Sequence, residues 1–295
     1  MNRTLKLTVS YDGTRFVGWQ RQARVAVAGE SIQGLLEEAL ARFEGAPVTV
    51  QGAGRTDAGV HALGQVASVQ LTCTHAVDAL LRGLNASLPP EVRVTAVEDA
   101  ASDFHARFSA RSKTYRYVIR NAPIVSPFER AYVWHVPEPL DVEAMQRAAA
   151  ALVGAHDFAA FASSGSETKD TARRSRDQRR RAVSSDQRWH ERDTKAPDVP
   201  GSRNKVGRVR VTTRTMTRSV VEGRDAGGLV AYEVTGTGFL RHMVRAIVGT
   251  LVEIGRGRRP ASSMTSLLAG RKRADAGATA PPHGLFLVRV DYHYD

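Results

Sequence analysis

One cysteine, Cys73, stands in a chain of 295 residues. A lone thiol forms no disulfide within the chain and builds no thiolate-rich zinc or iron–sulfur site, so Cys73 reads as a core filler. The nine histidines are scattered and include no H-E-x-x-H pair, which leaves a metal-dependent mechanism without a sequence signature; no metal and no cofactor are expected. Long apolar runs are missing as well. No segment is an uninterrupted apolar stretch fit to cross a bilayer, and the first residues pass directly into a strand pattern without an apolar signal core. A cytoplasmic protein with no membrane partner is the expectation. Acidic residues are in deficit, 30 against 42 Lys and Arg, for a formal net charge of +12. That surplus favours a polyanionic partner, because releasing counterions from a phosphate backbone drives binding; charge alone is equally compatible with general solubility.

Hydrophobic residues make up 42% of the chain, enough for one large or two ordinary domains with real cores. Leu5, Leu7, Val9 and Tyr11 alternate with Lys6, Thr8 and Ser10, the period of a half-buried strand, and Asp12-Gly13 ends it in a turn. Ile32, Leu35, Leu36, Ala39, Leu40 and Phe43 recur at helical spacing behind Ser31, an N-cap candidate. Val48–Val50 and Val66–Leu71 read as strands, Val77–Leu84 as a helix, Asn85–Pro90 as a turn and Arg93–Val97 as a strand. A second unit starts near residue 110. In it Tyr115, Tyr117 and Ile119 mark a strand, and Met145, Ala148, Ala149 and Leu152 one helical face. Val209–Met216 and Leu229–Thr235 read as strands, Met243, Ala246, Ile247, Thr250, Leu251 and Ile254 as a helical stripe, and Leu285–Tyr292 as a last strand. The expected fold class is α+β, with helices on one face of a mainly antiparallel sheet, in an N-terminal unit 1–109 and a C-terminal unit 110–295. The pattern fails near 165–207, where Arg173, Arg174, Arg176, Arg179, Arg180 and Arg181 crowd together among few apolar residues. That composition predicts a mobile insertion, a solvated loop in preference to a phosphate contact.

The densest cluster of special residues is Gly52-Ala53-Gly54-Arg55-Thr56-Asp57-Ala58-Gly59-Val60-His61-Ala62. Glycine permits backbone angles and close approaches that side chains forbid, and a carboxylate on such a loop can be held rigidly toward a substrate. The plainer alternative is a tight turn in which Asp57 caps the residues that follow. Gly52-Ala53-Gly54 and Gly255-Arg256-Gly257 also raise a nucleotide-cofactor enzyme, but Asp57 and Pro260 occupy the last position of each G-x-G-x-x-G frame. A non-catalytic RNA-binding module remains compatible with charge alone.

The run from Gly52 to Ala62, followed by Gly64-Gln65-Val66, resembles the signature of the TruA family of tRNA pseudouridine synthases. Tyr11-Asp12-Gly13-Thr14 with Phe16, Gly18, Trp19 and Gln20 resembles that family's first-strand motif. So do further blocks in the same order: Phe104–Ala110 running into Lys113-Thr114-Tyr115-Arg116-Tyr117, then His156-Asp157-Phe158 and Phe161, Phe239 with His242-Met243-Val244-Arg245, and Ala280-Pro281, Gly284-Leu285 and Tyr292. The resemblance implies two α/β-sandwich lobes whose sheets meet at a central basic cleft. It further implies isomerisation of uridine in the anticodon stem-loop of tRNA, at nucleotides 38, 39 and 40, by a homodimer. Asp57 is then the essential carboxylate and Arg245 its guanidinium partner, with Arg241 the less favoured candidate. Arg55 enters the stack or grips the backbone as the target nucleotide flips, unless it forms a structural ion pair with Asp57. Tyr115 packs against the flipped uracil and Leu285 lines its pocket, although a core aromatic and an ordinary strand residue would look the same. Tyr11, Asp12, Phe16, Trp19 and Gln20 form a packed hairpin near the cleft, with no catalytic role.

Overall fold

The computed structural model describes residues 2–21, 29–163, 212–223 and 227–292; the Arg-rich insertion expected near 165–207 lies outside them. The first strand, β1 (Arg3–Tyr11), follows its alternation, with Leu5, Leu7, Val9 and Tyr11 buried. It pairs antiparallel with β3 (His61–Leu71) on one side and β4 (Val92–Ala100) on the other. Helix α1 (Ile32–Glu44) starts where the Ser31 side chain accepts from the Gly34 N–H and ends at Gly45 in the left-handed region, the N-cap and C′ chemistry that satisfies the free groups of both ends.

Two expectations shift here. No strand forms at Val48–Val50; the short strand β2 is Gln51–Gly52. The Val50 N–H donates to Glu37 Oε1 and its carbonyl accepts from Gln33 Nε2, so side chains of α1 take the backbone groups that a neighbouring strand would have used. Helix α2 runs over Val77–Ser87, into the expected turn. Asn85 stays helical because its Nδ2 reaches the carbonyls of Leu81 and Val94, and its Oδ1 accepts from the Val94 N–H.

The C-terminal half contributes β5 (Ser112–Arg120), the short β6 (Trp134–His135), helix α3 (Val142–Ala150), β7 (Gly154–Asp157), β8 (Thr213–Gly223) and β9 (Leu229–Gly236). Helices α4 (Met243–Gly255) and α5 (Ser263–Leu268) and the last strand, β10 (Leu285–Asp291), complete it. Where two sheets were expected to meet, the strands form one ten-stranded sheet of order β4-β1-β3-β10-β5-β9-β8-β7, with β2 against β3 and β6 against β5. The join is the parallel pairing of β10 with β3, Phe286 opposite His61 and Leu287 opposite Ala62. The last strand of the chain thus inserts between an N-terminal strand and β5, with Leu285 opposite Tyr117 and Leu287 opposite Tyr115. One hydrophobic core runs through both halves. Helix α4 is buried nearly all round; of its 13 residues only Arg245 and Glu253 are not buried.

Candidate active site

The Asp57 loop leads into β3 at the join, so the sheet order puts it beside β10 and, one strand further, β5. Three contacts hold the loop from beneath. The Tyr11 and Thr56 hydroxyls lie 2.8 Å apart, the Trp19 N–H donates to the Thr56 carbonyl at 3.1 Å, and Gln65 Nε2 donates to the Gly54 carbonyl at 2.8 Å. Tyr11 and Trp19 therefore brace the loop, as the packed-hairpin reading expects. Burial raises the Tyr11 phenol to about 12, against the two hydrogen bonds that lower it, from Thr56 and Gln65; it stays a neutral hydroxyl.

Two of the three glycines are sterically required. Gly59 has φ +76, and a Cβ on it would sit 3.0 Å from Pro282 Cγ. A Cβ on Gly52 would fall 2.4 Å from the Trp19 ring. Gly54 is different: its Cβ would meet Lys113 Cε and the Tyr115 hydroxyl only at 3.4 and 3.5 Å, ordinary contacts.

Asp57 is partly exposed, and Arg245 Nη1 donates to its Oδ2 at 3.1 Å. The guanidinium is fixed by its own Nε, which donates to the Ala280 carbonyl at 2.8 Å, while the Ala280 N–H donates back to the Arg245 carbonyl at 3.1 Å. This reciprocal clasp ties α4 to the segment leading into β10. His242 Nε2 stands 3.4 Å from the same Oδ2. Oδ1 has no hydrogen-bond or ion-pair partner among the described residues. One guanidinium nitrogen holding one oxygen and leaving the other open orients the carboxylate.

Tyr115 is buried on β5, its ring edge-on to Phe239 with centroids 4.9 Å apart. Burial pushes its phenol upward, and the nearby Tyr11 and Asp57 add to the shift; it too remains a neutral hydroxyl. Tyr117, on the same face of β5, donates to the Pro281 carbonyl at 2.8 Å, a wholly structural use. Leu285 is buried opposite Tyr117. Arg55 is exposed and the ion pair with Asp57 does not form; Arg55 has no side-chain partner among the described residues. The structure thus brings Asp57, Arg245 and Tyr115 together, with Leu285 on the adjoining strand. Arg241 is exposed on the turn before α4 and makes no ion pair with Asp57.

Sequence reasoning gave no role to His242, Gln65 or Phe239. Gln65 is fully buried, and its Oε1 has no hydrogen-bond partner among the described residues. His242 precedes Arg245 by three residues, but its aim depends on a positive φ that no residue type announces. His61, inside the motif, is buried beneath the loop. The Gly13 N–H donates to its Nδ1 at 3.0 Å and Nε2 lies 3.1 Å from the His283 carbonyl, so the proton sits on Nε2 and the ring is neutral. Its 3.2 Å approach to Asp12 Oδ1 is for that reason no ion pair, in keeping with the burial that lowers its affinity for a proton. Among the described residues no cluster of three or more His, Cys, Asp or Glu is arranged to hold a metal ion, and no helix is long and apolar enough to cross a membrane.

The sequence model of a family described as tRNA pseudouridine synthase matches residues 7–109 and 198–293. The chain is 43% identical over 288 residues to tRNA pseudouridine synthase A of Myxococcus xanthus, covering 98% of this chain and 91% of that protein. It is 39% identical over 290 residues to tRNA pseudouridine synthase A of Pelobacter propionicus, covering 98% and 100%. The protein of the same name from Solibacter usitatus is 41% identical over 290 residues, again covering 98% and 100%.

Proposed function

The chain belongs to the tRNA pseudouridine synthase family, and from that premise we propose that it isomerises uridine to pseudouridine in the anticodon stem-loop of tRNA, at nucleotides 38, 39 and 40, with Asp57 as the essential carboxylate. The observation that carries this reading is the Asp57–Arg245 pair at the β3–β10 join, one oxygen held at 3.1 Å and the other open.

The reaction breaks the N1–C1′ bond, turns the uracil and bonds C5 to C1′; the proton lost from C5 is balanced by one gained at N1. Atoms and electrons are conserved, so no oxidant or cosubstrate enters. A carboxylate suffices as nucleophile or base, and Arg245 holds it in place. Taking a base from its stack costs a few kcal/mol. Arg55, exposed and without a side-chain partner among the described residues, fills the vacated position or grips the backbone. Tyr115 presents its ring to the everted uracil, a stacking contribution of roughly 1–3 kcal/mol, and Leu285 lines the pocket. The join is the floor of a basic cleft between lobes 1–109 and 110–295, supported by the Arg241, Arg245 and Arg273 charges that all act on His242. The net charge of +12 suits tRNA as the partner. The enzyme works as a cytoplasmic homodimer, one subunit holding the tRNA body while the other presents the site.

The test is incubation of purified protein with unmodified tRNA transcript in the presence of a chelator, followed by carbodiimide mapping of pseudouridine. New stops confined to the anticodon stem-loop support the reading. Stops elsewhere, or none, overturn it.

A further inference from the structure

Besides Arg245, one more side chain is aimed at Asp57, and the reading above gives it no task. His242 is the residue immediately before α4, with φ 61 and ψ 4, and among the described residues it alone carries a Cβ at positive φ. Residues carrying a Cβ are uncommon in that conformation, although histidine, like asparagine and aspartate, enters it more often than most. Strain of this kind, where it is kept, points to a use for the side chain's direction. Here the direction is toward Asp57, Nε2 lying 3.4 Å from Oδ2, the oxygen already held by Arg245.

We propose that His242 is a positioning residue which, with Arg245, pins Oδ2 of Asp57 from a second side so that Oδ1 alone is presented to the nucleotide, and that a proton on its imidazole turns the site down. The proposal rests on Asp57 being the reacting carboxylate. The charged groups facing the ring are Asp57 from its loop, Arg245 from the first turn of α4, Arg241 from the turn before it and Arg273 from the 3₁₀ turn Arg273–Asp275. Burial holds the imidazole below its ordinary 6.5; Asp57 opposes this, and the three guanidiniums add to it. The ring is thus neutral at neutral pH. Once protonated, it sets a second cation on Oδ2 and draws electron density from the carboxylate. Attack on sugar, attack on the ring and proton abstraction all need that density, so the rate falls whichever step Asp57 performs.

Single-turnover pseudouridine formation on a tRNA transcript is measured between about pH 5 and about pH 8, limits set to bracket the ordinary histidine range. The proteins are wild type, His242→Asn, His242→Gly, Asp57→Ala and, for the titration, Asp57→Asn. Asparagine tolerates the left-handed backbone and keeps a donor without a titration; glycine keeps the backbone and removes the side chain. The wild type is expected to lose rate as pH falls below 6.5, and His242→Asn to lack that decline. His242→Gly is expected to show a roughly tenfold lower single-turnover rate at saturating enzyme at the upper pH, with tRNA affinity unchanged, a positioning loss. NMR titration of His242 supplies a readout independent of turnover: in Asp57→Asn its midpoint moves down, because the one charge favouring the imidazolium is gone. An acid decline that persists in His242→Asn, full activity in His242→Gly, or an unmoved midpoint would overturn the proposal. Activity in Asp57→Ala would instead overturn the reading beneath it, and the proposal with it.

Discussion

Replacing Arg245 by methionine removes two bonds at once. Its Nε–H donates to the Ala280 carbonyl at 2.8 Å and its Nη1 to Asp57 Oδ2 at 3.1 Å, from a side chain only 14% exposed. A hydrogen bond to a charged group contributes about 1.5–3 kcal/mol net, and breaking a fully buried ion pair costs about 3–5 kcal/mol. Asp57 is 29% exposed, so water resolvates it and the lower figures apply. We expect a loss of about 2 kcal/mol, which for a chain of this size lowers the unfolding midpoint by roughly 3 °C. Turnover suffers more, by about a hundredfold, since the carboxylate loses its orientation and its paired charge. Lysine carries a single ammonium that reaches one acceptor but not both. Arg245→Lys should therefore recover part of the stability while turnover stays about tenfold low. Release of tritium from tRNA labelled at uridine C5 reads turnover directly, because bonding C5 to C1′ expels the hydrogen there. Wild-type turnover in Arg245→Met, or Arg245→Lys equal to wild type in both measurements, would refute the reasoning.

Gly59→Ala should destabilise by about 1–2 kcal/mol, the cost of a Cβ in the left-handed region, whereas Gly54→Ala should be nearly neutral; equal shifts in unfolding midpoint would contradict these steric roles. Stability should also decline in acid. His61 and His283 are held neutral by burial, their proton affinities below the ordinary 6.5. Their contribution is complete above the unfolded value of 6.5 and is lost as pH falls from there through the lowered folded value. Thermal unfolding from about pH 8 down to about pH 5 checks this, and a midpoint that does not fall counts against the neutral, buried His61.

Local periodicity made much of the fold legible. The alternation of Leu5, Leu7 and Val9 and the Ser31 cap are features that neighbouring residues decide among themselves. Val48–Val50 misled because the partners of Val50 are Gln33 and Glu37, side chains of a helix already passed. Asn85 carries the residue type of a turn but stays helical because its amide serves Val94 on the next strand. The joining of both halves into one sheet depends on β10 returning beside His61, a pairing no periodicity encodes. Asp57 and Arg245 are 188 residues apart, and it was the resemblance to a family, and not composition, that put them together. His242 stayed hidden because its direction is set by its backbone, and Gln65 because a buried amide reads in sequence like any surface glutamine.

Asp57→Asn changes one oxygen to nitrogen, keeps the shape of the loop and removes the charge. Tritium release from C5-labelled tRNA, measured beside tRNA affinity for the same protein, separates chemistry from binding. Loss of release to background with affinity kept within a few-fold is the predicted result. Asp57→Asn that still forms pseudouridine at the wild-type rate would contradict the claim that this carboxylate performs the reaction.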